Sequence, residues 1–377
     1  MMSPNLPRMK LHAYDAAIVG GGLVGLAIAY GMSRLGARVV ILDEGDVAYR
    51  ASRGNFGLVW VQGKGLGKSA YSNWTQHSAR EWAKLARLLR EDTGVDVVLE
   101  QPGGFQICLS EAEMQAKLDS MEKLMRQDGI ERYDYRICDP AELRITYPGL
   151  GPHVVGGVYT RLDGHVNPLR LFRALLLGAR SRKACYRPMT PVSRVEPCSD
   201  GYALHTPAGE VRAAKVVLAA GLGNARLAPA LGMHVPVRPQ RGQIIVMERM
   251  PRFMSHPIVT LRQTDEGTVM IGDSLEETGL DDRVGTAILA TLADRAARIF
   301  PALRAARVVR TWGALRVMSP DGFPIYGQSP GMPGIYAATC HSGVTLAAAH
   351  ALLLAPHIQA GPLPDALAPF SMDRFDV

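Results

Sequence analysis

The stretch Ala16-Ala17-Ile18-Val19-Gly20-Gly21-Gly22-Leu23-Val24-Gly25 runs on through a helix-like segment to Arg34 and then into Arg38-Val39-Val40-Ile41-Leu42-Asp43. It reads as strand, glycine turn, helix, strand and terminal carboxylate. Each glycine has a physical task. Gly20 permits the tight turn, Gly22 lets a pyrophosphate approach bare backbone N–H groups, and Gly25 lets the helix lie close on the sheet. The phosphates then meet a helix N-terminus, where unpaired amides and the positive end of the macrodipole favour an anion. Asp43 stands about 20 residues past the glycines, where a carboxylate accepts hydrogen bonds from a ribose 2′-hydroxyl and repels a 2′-phosphate. The unit predicts a bound dinucleotide and disfavours NADP.

A chain of 377 residues has room for about two or three domains and a large core. Apolar residues at 47% and charged residues at 20% are ordinary globular values, and no low-complexity tract or internal repeat stands out. The formal charge of +7, from 42 basic and 35 acidic side chains, is scattered rather than run together. That pattern predicts a solvated basic surface and no nucleic-acid partner. Cys108, Cys138, Cys185, Cys198 and Cys340 are odd in number and contain no Cys-x-x-Cys pair. They read as reduced thiols without a metal framework, in keeping with a cytoplasmic location. Met1 to Tyr14 lacks the apolar core of a signal peptide, and the apolar stretch Val344 to Ile358 is too short to span a bilayer and reads as a buried helix.

After Asp43, the loops Ala51-Ser52-Arg53-Gly54-Asn55-Phe56-Gly57 and Val61-Gln62-Gly63-Lys64-Gly65-Leu66-Gly67 are dense in glycine, as backbone close to a ligand would be. A helix is predicted from Ser69 to Glu91 with a stop at Thr93-Gly94. Strands are predicted at Val97 to Glu100 and Gly104 to Leu109, then a helix capped by Ser110 with Glu113 three residues on. Gly156 to Tyr159 reads as a strand, and Asn167-Pro168 starts a further helix. Val192 to Val195, Tyr202 to His205 and Val211 to Ala219 alternate like a β-meander that returns to a central strand ending at Ala220-Gly221. Strands at Gln243 to Met247, Ile258 to Gln263 and Thr268 to Gly272, with a helix at Thr286 to Phe300, suggest a second, antiparallel region.

These motifs resemble those of the FAD-dependent D-amino-acid oxidase family, in the branch with glycine oxidase, sarcosine oxidase and D-amino-acid dehydrogenases. The similarity runs through Gly20 to Asp43, Ala51 to Gly57, Asp163-Gly164, Val217 to Gly221, Gly313-Ala314-Leu315-Arg316, Asp321-Gly322-Phe323-Pro324 and His341-Ser342-Gly343. The wording from Asn55 to Gly65 is similar to flavin subunits of opine and D-hydroxyproline dehydrogenases. The resemblance implies an α/β fold in which a Rossmann-like FAD-binding domain is interrupted by a second α+β substrate domain with an antiparallel sheet. The expected division is 1–90, 151–225 and 319–377 for FAD, with 91–150 and 226–318 for substrate.

The implied cofactor is FAD, held noncovalently, because Val317-Met318-Ser319-Pro320 stands where sarcosine oxidases carry a flavin-linking Cys. No second glycine fingerprint follows a predicted strand, so electrons are expected to leave to oxygen, a quinone or a partner protein in a hetero-oligomer. By the family pattern Gly20, Gly22, Leu23, Val24 and Gly25 surround the pyrophosphate and Asp43 takes the adenosine ribose. Ser52, Arg53 and Asn55 line the path to the flavin, Val195 meets the adenine by backbone, and Ala220-Gly221 packs on the nucleotide. Gly343, Val344 and Thr345 open the turn whose amides would face the pyrimidine edge of the flavin.

Arg316 is the implied substrate anchor, since a guanidinium presents two parallel donors to a carboxylate. His341 is a second catalytic candidate. The implied reaction is oxidation of a C–N bond in a small amino acid or secondary amino acid, with hydride passing to flavin N5 and the imine hydrolysing; a dehydrogenase is favoured over an oxidase. An electron-transfer β-subunit of an opine or D-hydroxyproline dehydrogenase is the alternative. The family's carboxylate-assisting Tyr has no counterpart in Ile258-Val259-Thr260-Leu261, Gln62 and Lys64 are within reach of the substrate or on the surface, and Cys340 is a candidate reactive thiol or an inert one.

Overall fold

The structure is a computed structural model that describes residues 14–45, 51–272 and 274–375. The expectation for the segment before Tyr14 therefore lies almost wholly outside the described residues. The strand Tyr14–Val19 is parallel to Val39–Leu42 on one side and to Gly209–Leu218 on the other, with Ile18 opposite both Ile41 and Val217. Cys185–Arg187 extends one flank, and Ile335–Thr339 followed by Ile325–Gln328 extends the other. Val39, Val40 and Ile41 are all fully buried, as continuous apolar strands of a sheet covered on both faces must be. The meander is present as Arg194–Cys198, Gly201–Thr206 and Gly209–Leu218.

A second system is antiparallel, in the order Leu261–Gln263, Thr268–Ile271, Arg238–Arg249, Val308–Met318. A three-stranded sheet of Gly104–Cys108, Gly156–Thr160 and Tyr135–Cys138 joins it through a bridge between Phe105 and Ile258. Gly156–Thr160, expected as a strand of the FAD-binding domain, pairs within this three-stranded sheet. Gly157 allows close pairing there, since a Cβ would stand 2.8 Å from the Gln106 carbonyl oxygen.

Several start and stop signals act as read. Ser110 Oγ accepts from Glu113 N at 3.2 Å, Asn167 Oδ1 accepts from Leu169 N and Arg170 N, and Gly94 ends Ser69–Thr93 with φ +71°. The strand expected at Val97 to Glu100 is absent: Val98 has φ +52°, which breaks extension, and only Glu100 forms a bridge, to His165. The C-terminal helix is also irregular. Ala347–Ala349 passes into a π turn at His350–Leu354 before Ala355–Ala360. Pro356 lacks the N–H for a regular bond and its ring crowds the preceding turn, which the wider turn relieves. Among the described residues no helix is long and apolar enough to cross a membrane.

Candidate active site

The helix Leu23–Arg34 makes its first i→i−4 bond from Leu26 N to Gly22 O, leaving the earlier amides to other partners. Gly21 N donates to Asp43 Oδ2 at 2.6 Å and Leu23 N to Ser52 Oγ at 2.9 Å. The amides of Gly22 and Val24 border a cavity of about 1010 Å³. Gly20 adopts φ +109°, and a Cβ there would meet the Ala219 carbonyl oxygen at 2.4 Å. At Gly25 a Cβ would lie 2.0 Å from the Gly20 carbonyl oxygen, so the helix seats on the turn only without a side chain.

Gly20, Gly22, Leu23, Val24, Asp43 and Ser52 line this cavity. Asn55, Ala220, Gly221, His341 and Gly343 line it further along. Val195 does not: it sits opposite Leu204 with its side chain buried in the core, and Val192 forms the wall. Arg53 is exposed and lines neither this cavity nor its neighbour. The cradle of bare glycine backbone, unspent helix amides and a terminal carboxylate fits the pyrophosphate and ribose of FAD.

A second cavity, of about 910 Å³, adjoins the first at Ala51, Asn55 and His341, which line both. Arg316, Val344 and Thr345 line it, as do Trp60, Phe56 and Lys64. Arg316 Nη1 donates to Ser274 O at 2.8 Å and to Arg241 O at 3.2 Å. Gly242 faces the guanidinium, and a Cβ there would stand 2.4 Å from its nitrogens. Val259 lines the cavity on the stretch where a carboxylate-assisting Tyr was sought.

His341 is held neutral. Burial, with the Lys64 and Arg316 charges, pulls its imidazolium down to about 3. Its Nε2 lies 3.1 Å from Ser342 Oγ, which also receives Lys64 Nζ at 2.8 Å and pairs with Tyr71 OH at 2.8 Å. Burial pushes the Cys340 thiol up to about 12, so it is an inert wall residue rather than a nucleophile.

The turn after Cys340 is pinned from outside. Ser78 Oγ and Trp82 Nε1 both donate to Thr345 O, while Thr345 Oγ1 accepts from Trp60 N. Leu346 N donates to Ser342 O, which leaves the amides of Gly343, Val344 and Thr345 ahead of the first helical bond.

Sequence reasoning missed the parts that position the site. Asp163 Oδ1 accepts from Val61 N at 2.6 Å and Gln62 N at 3.2 Å and so anchors the second glycine loop. Burial pushes its carboxyl up to about 7, opposed by those two amides and by the Lys117 and Lys64 charges. Gln62 is buried and donates to Thr160 Oγ1 and Val158 O, away from the substrate cavity. Arg262 is buried with its Nε donating to Phe56 O and its guanidinium 5.7 Å from the Phe56 ring, which fixes the first glycine loop. The signal for Trp60 and Lys64 was their place among loop glycines, but only the anchor at Asp163 shows which way that loop folds.

The comparisons with known proteins agree with this geometry. A model of the family described as "DAO: FAD dependent oxidoreductase" matches residues 15–356. The chain is 44% identical over 365 residues to the B subunit of opine oxidase from Agrobacterium tumefaciens strain Ach5, covering 97% of this chain and 98% of that protein. To the corresponding opine oxidase protein of Rhizobium meliloti it is 43% identical, covering 97% and 99%. The crystal structure of glycine oxidase from Geobacillus kaustophilus is similar with a TM-score of 0.88 at 28% identity, covering 96% of this chain and 99% of that one. The parallel nucleotide sheet, the glycine cradle and a family match over nearly the whole length lead to one assignment: the chain belongs to the DAO family of FAD dependent oxidoreductases and is an enzyme that uses FAD.

Proposed function

We propose that this chain oxidises the C–N bond of a carboxylate-bearing amine, an amino acid or secondary amino acid, bound through Arg316. The observation that carries this reading is a dinucleotide cradle that adjoins, at the shared walls Ala51, Asn55 and His341, a second cavity lined by the framed Arg316 guanidinium. Bound FAD, held noncovalently, supplies the two-electron acceptor. Arg316 orients the substrate by a forked pair of hydrogen bonds to its carboxylate. Trp60 and Phe56 narrow the space and keep bulk water from the reacting bond.

The substrate enters as the free amine and gives up a hydride from the carbon next to nitrogen, for which bound FAD would be the acceptor, leaving a protonated imine that water hydrolyses to a carbonyl compound and an ammonium. No general base is required. Neutral His341 is accordingly a hydrogen-bonding wall residue that helps hold Ser342, not a proton acceptor. The amides of Gly343 to Thr345 and the Lys64 ammonium stabilise negative charge gathering on that side of the cavity.

Anaerobic mixing of the FAD-loaded protein with glycine, sarcosine, D-amino acids, hydroxyproline and opines, followed by flavin absorbance, tests the reading. At least one compound should bleach the flavin. Arg316→Met should slow that bleaching by about 30-fold to several thousand-fold, the equivalent of about 2–5 kcal/mol for truncating one side of a buried charge pair. Equal rates for the two proteins would overturn it.

The subunit names of the two opine oxidase relatives support a second, narrower reading, in which the chain is one member of a hetero-oligomer; we infer that it bears the flavin there and works as a dehydrogenase. The bleached flavin would then be reoxidised faster by an artificial dye than by oxygen. Stoichiometric peroxide from the isolated chain would sink that reading and leave the first intact.

A further inference from the structure

The helix Glu111–Met125 buries Met114, Lys117, Met121 and Leu124. These positions share one face, so a lysine occupies an otherwise apolar stripe. It is only 7% exposed and makes no hydrogen bond or ion pair among the described residues. A methionine would continue the stripe without the cost of desolvating a charge, so packing alone does not call for an amine here.

Reactivity does. A lysine desolvated among apolar groups sheds its proton more readily and becomes a nucleophile. Burial pulls the Lys117 ammonium down to about 8 even with the field of Asp163 opposing, which at pH 7 leaves roughly 200-fold more free amine than an exposed lysine carries.

The amine also faces a space that a ligand can fill. Lys117 lines a third cavity, of about 1040 Å³, that shares the walls Trp60, Lys64 and Val259 with the cavity of Arg316 and includes the exposed Ala116 at its rim. A Cβ at Gly63 would stand 3.2 Å from Lys117 Nζ, so the glycine leaves that flank of the amine uncrowded. Two further cations border the space: Lys64, which donates to Ser342 Oγ at 2.8 Å, and Arg295, held by Glu113 at 2.8 Å and 3.0 Å. A small anion with an electrophilic carbon finds charge here to hold it and an amine to attack it.

We propose that Lys117 is a covalent capture site for 2-oxo acids, its amine adding to the keto carbon to form a reversible imine while the flanking Lys64 and Arg295 charges hold the carboxylate. The proposal rests on the amine-oxidation reading above for the source of the ligand, since oxidising an amino acid at the carbon beside its carboxylate yields a 2-oxo acid next to this cavity. A C–N bond forms, the carbonyl oxygen leaves as water with the two protons of the amine, and no electrons change hands. Addition of water reverses the step and frees the acid, so occupancy of Lys117 follows the concentration of the product.

The experiment traps the imine directly. FAD-loaded protein is incubated with pyruvate and cyanoborohydride, which reduces an imine to a stable secondary amine, and the modified lysines are located by peptide mass spectrometry. Lys117 should carry at least about 10-fold more label than the exposed Lys84, Lys123 and Lys183, the part of its free-amine advantage that survives burial. With acetone, which has the carbonyl but no carboxylate, that margin should shrink several-fold.

A Lys117 labelled no more than the exposed lysines would overturn the capture site. An equal margin with acetone would overturn the 2-oxo acid as its ligand. A flavin that no amine bleaches would instead overturn the parent reading, and the trapping, which uses added pyruvate and needs no turnover, would still decide this one.

Discussion

Arg316 owes its aim to the residue diagonally across the strand pair. Gln240 stands directly opposite Arg316 and Gly242 opposite Ala314, so Gly242 and Arg316 share a face two positions apart. The missing side chain at 242 is the space the guanidinium fills. Gly242→Ala should therefore displace Arg316 without disturbing the ladder itself, since the backbone pairing survives a methyl group. The expected result is a loss of about 10-fold or more in kcat/KM, carried by KM, with the melting temperature nearly unchanged. A variant with normal KM would show that the guanidinium can be aimed from elsewhere. Arg316 was legible because it closes a short local motif, Gly313-Ala314-Leu315-Arg316. Gly242 and Lys117 were not, since nothing local marks a residue whose task is to leave room for, or to face, a group brought up by strand pairing or by another helix.

Elements differ in the same way. Caps at Ser110, Asn167 and Gly94 are decided within four residues, so their sequence signals sufficed. The failure at Val97 to Glu100 came from treating β-branched residues as strand formers where the backbone must turn, and tertiary context overrides propensity there. Residues of the turn from Cys340 to Thr345 line the two cavities, and the turn is held by the distant helix Ser69–Thr93. Ser78 Oγ donates to Thr345 O at 2.6 Å and accepts from Ala349 N at 3.0 Å, both buried. Ser78→Ala leaves the Ala349 amide without its acceptor, at a cost of about 1–3 kcal/mol. For a chain of this length that lowers the melting temperature by roughly 1–4 °C, and the loosened turn should raise the FAD dissociation constant several-fold. Calorimetry and a flavin-release titration on the same preparation check both. Unchanged FAD affinity would mean that Trp82 and the Trp60 amide hold the turn without Ser78.

At the scale of the whole molecule, the dinucleotide cavity is a meeting point of segments far apart in the chain. Its walls come from the first glycine turn, from Ser52 and Asn55, from Val192, from Ala220-Gly221, from Val317 and from the turn at His341. No stretch of sequence encodes that wall, which is why Val192 rather than Val195 emerged only from the fold. One consequence is thermodynamic. A ligand that bridges these segments binds the native state and has no comparable site in the unfolded chain, so it stabilises by mass action. At a free FAD concentration of about 100 times the dissociation constant this amounts to about 2.7 kcal/mol, or a rise of roughly 3 °C in melting temperature for a chain of this length. Stripping the cofactor should lower the transition by at least that much and return the glycine loops around Ser52 and Lys64 to protease-sensitive states, since their anchors depend on a packed cavity wall. Adding FAD back should restore both, with the shift growing as the logarithm of FAD concentration. A melting temperature indifferent to FAD would mean that the cavity is built without the cofactor's help.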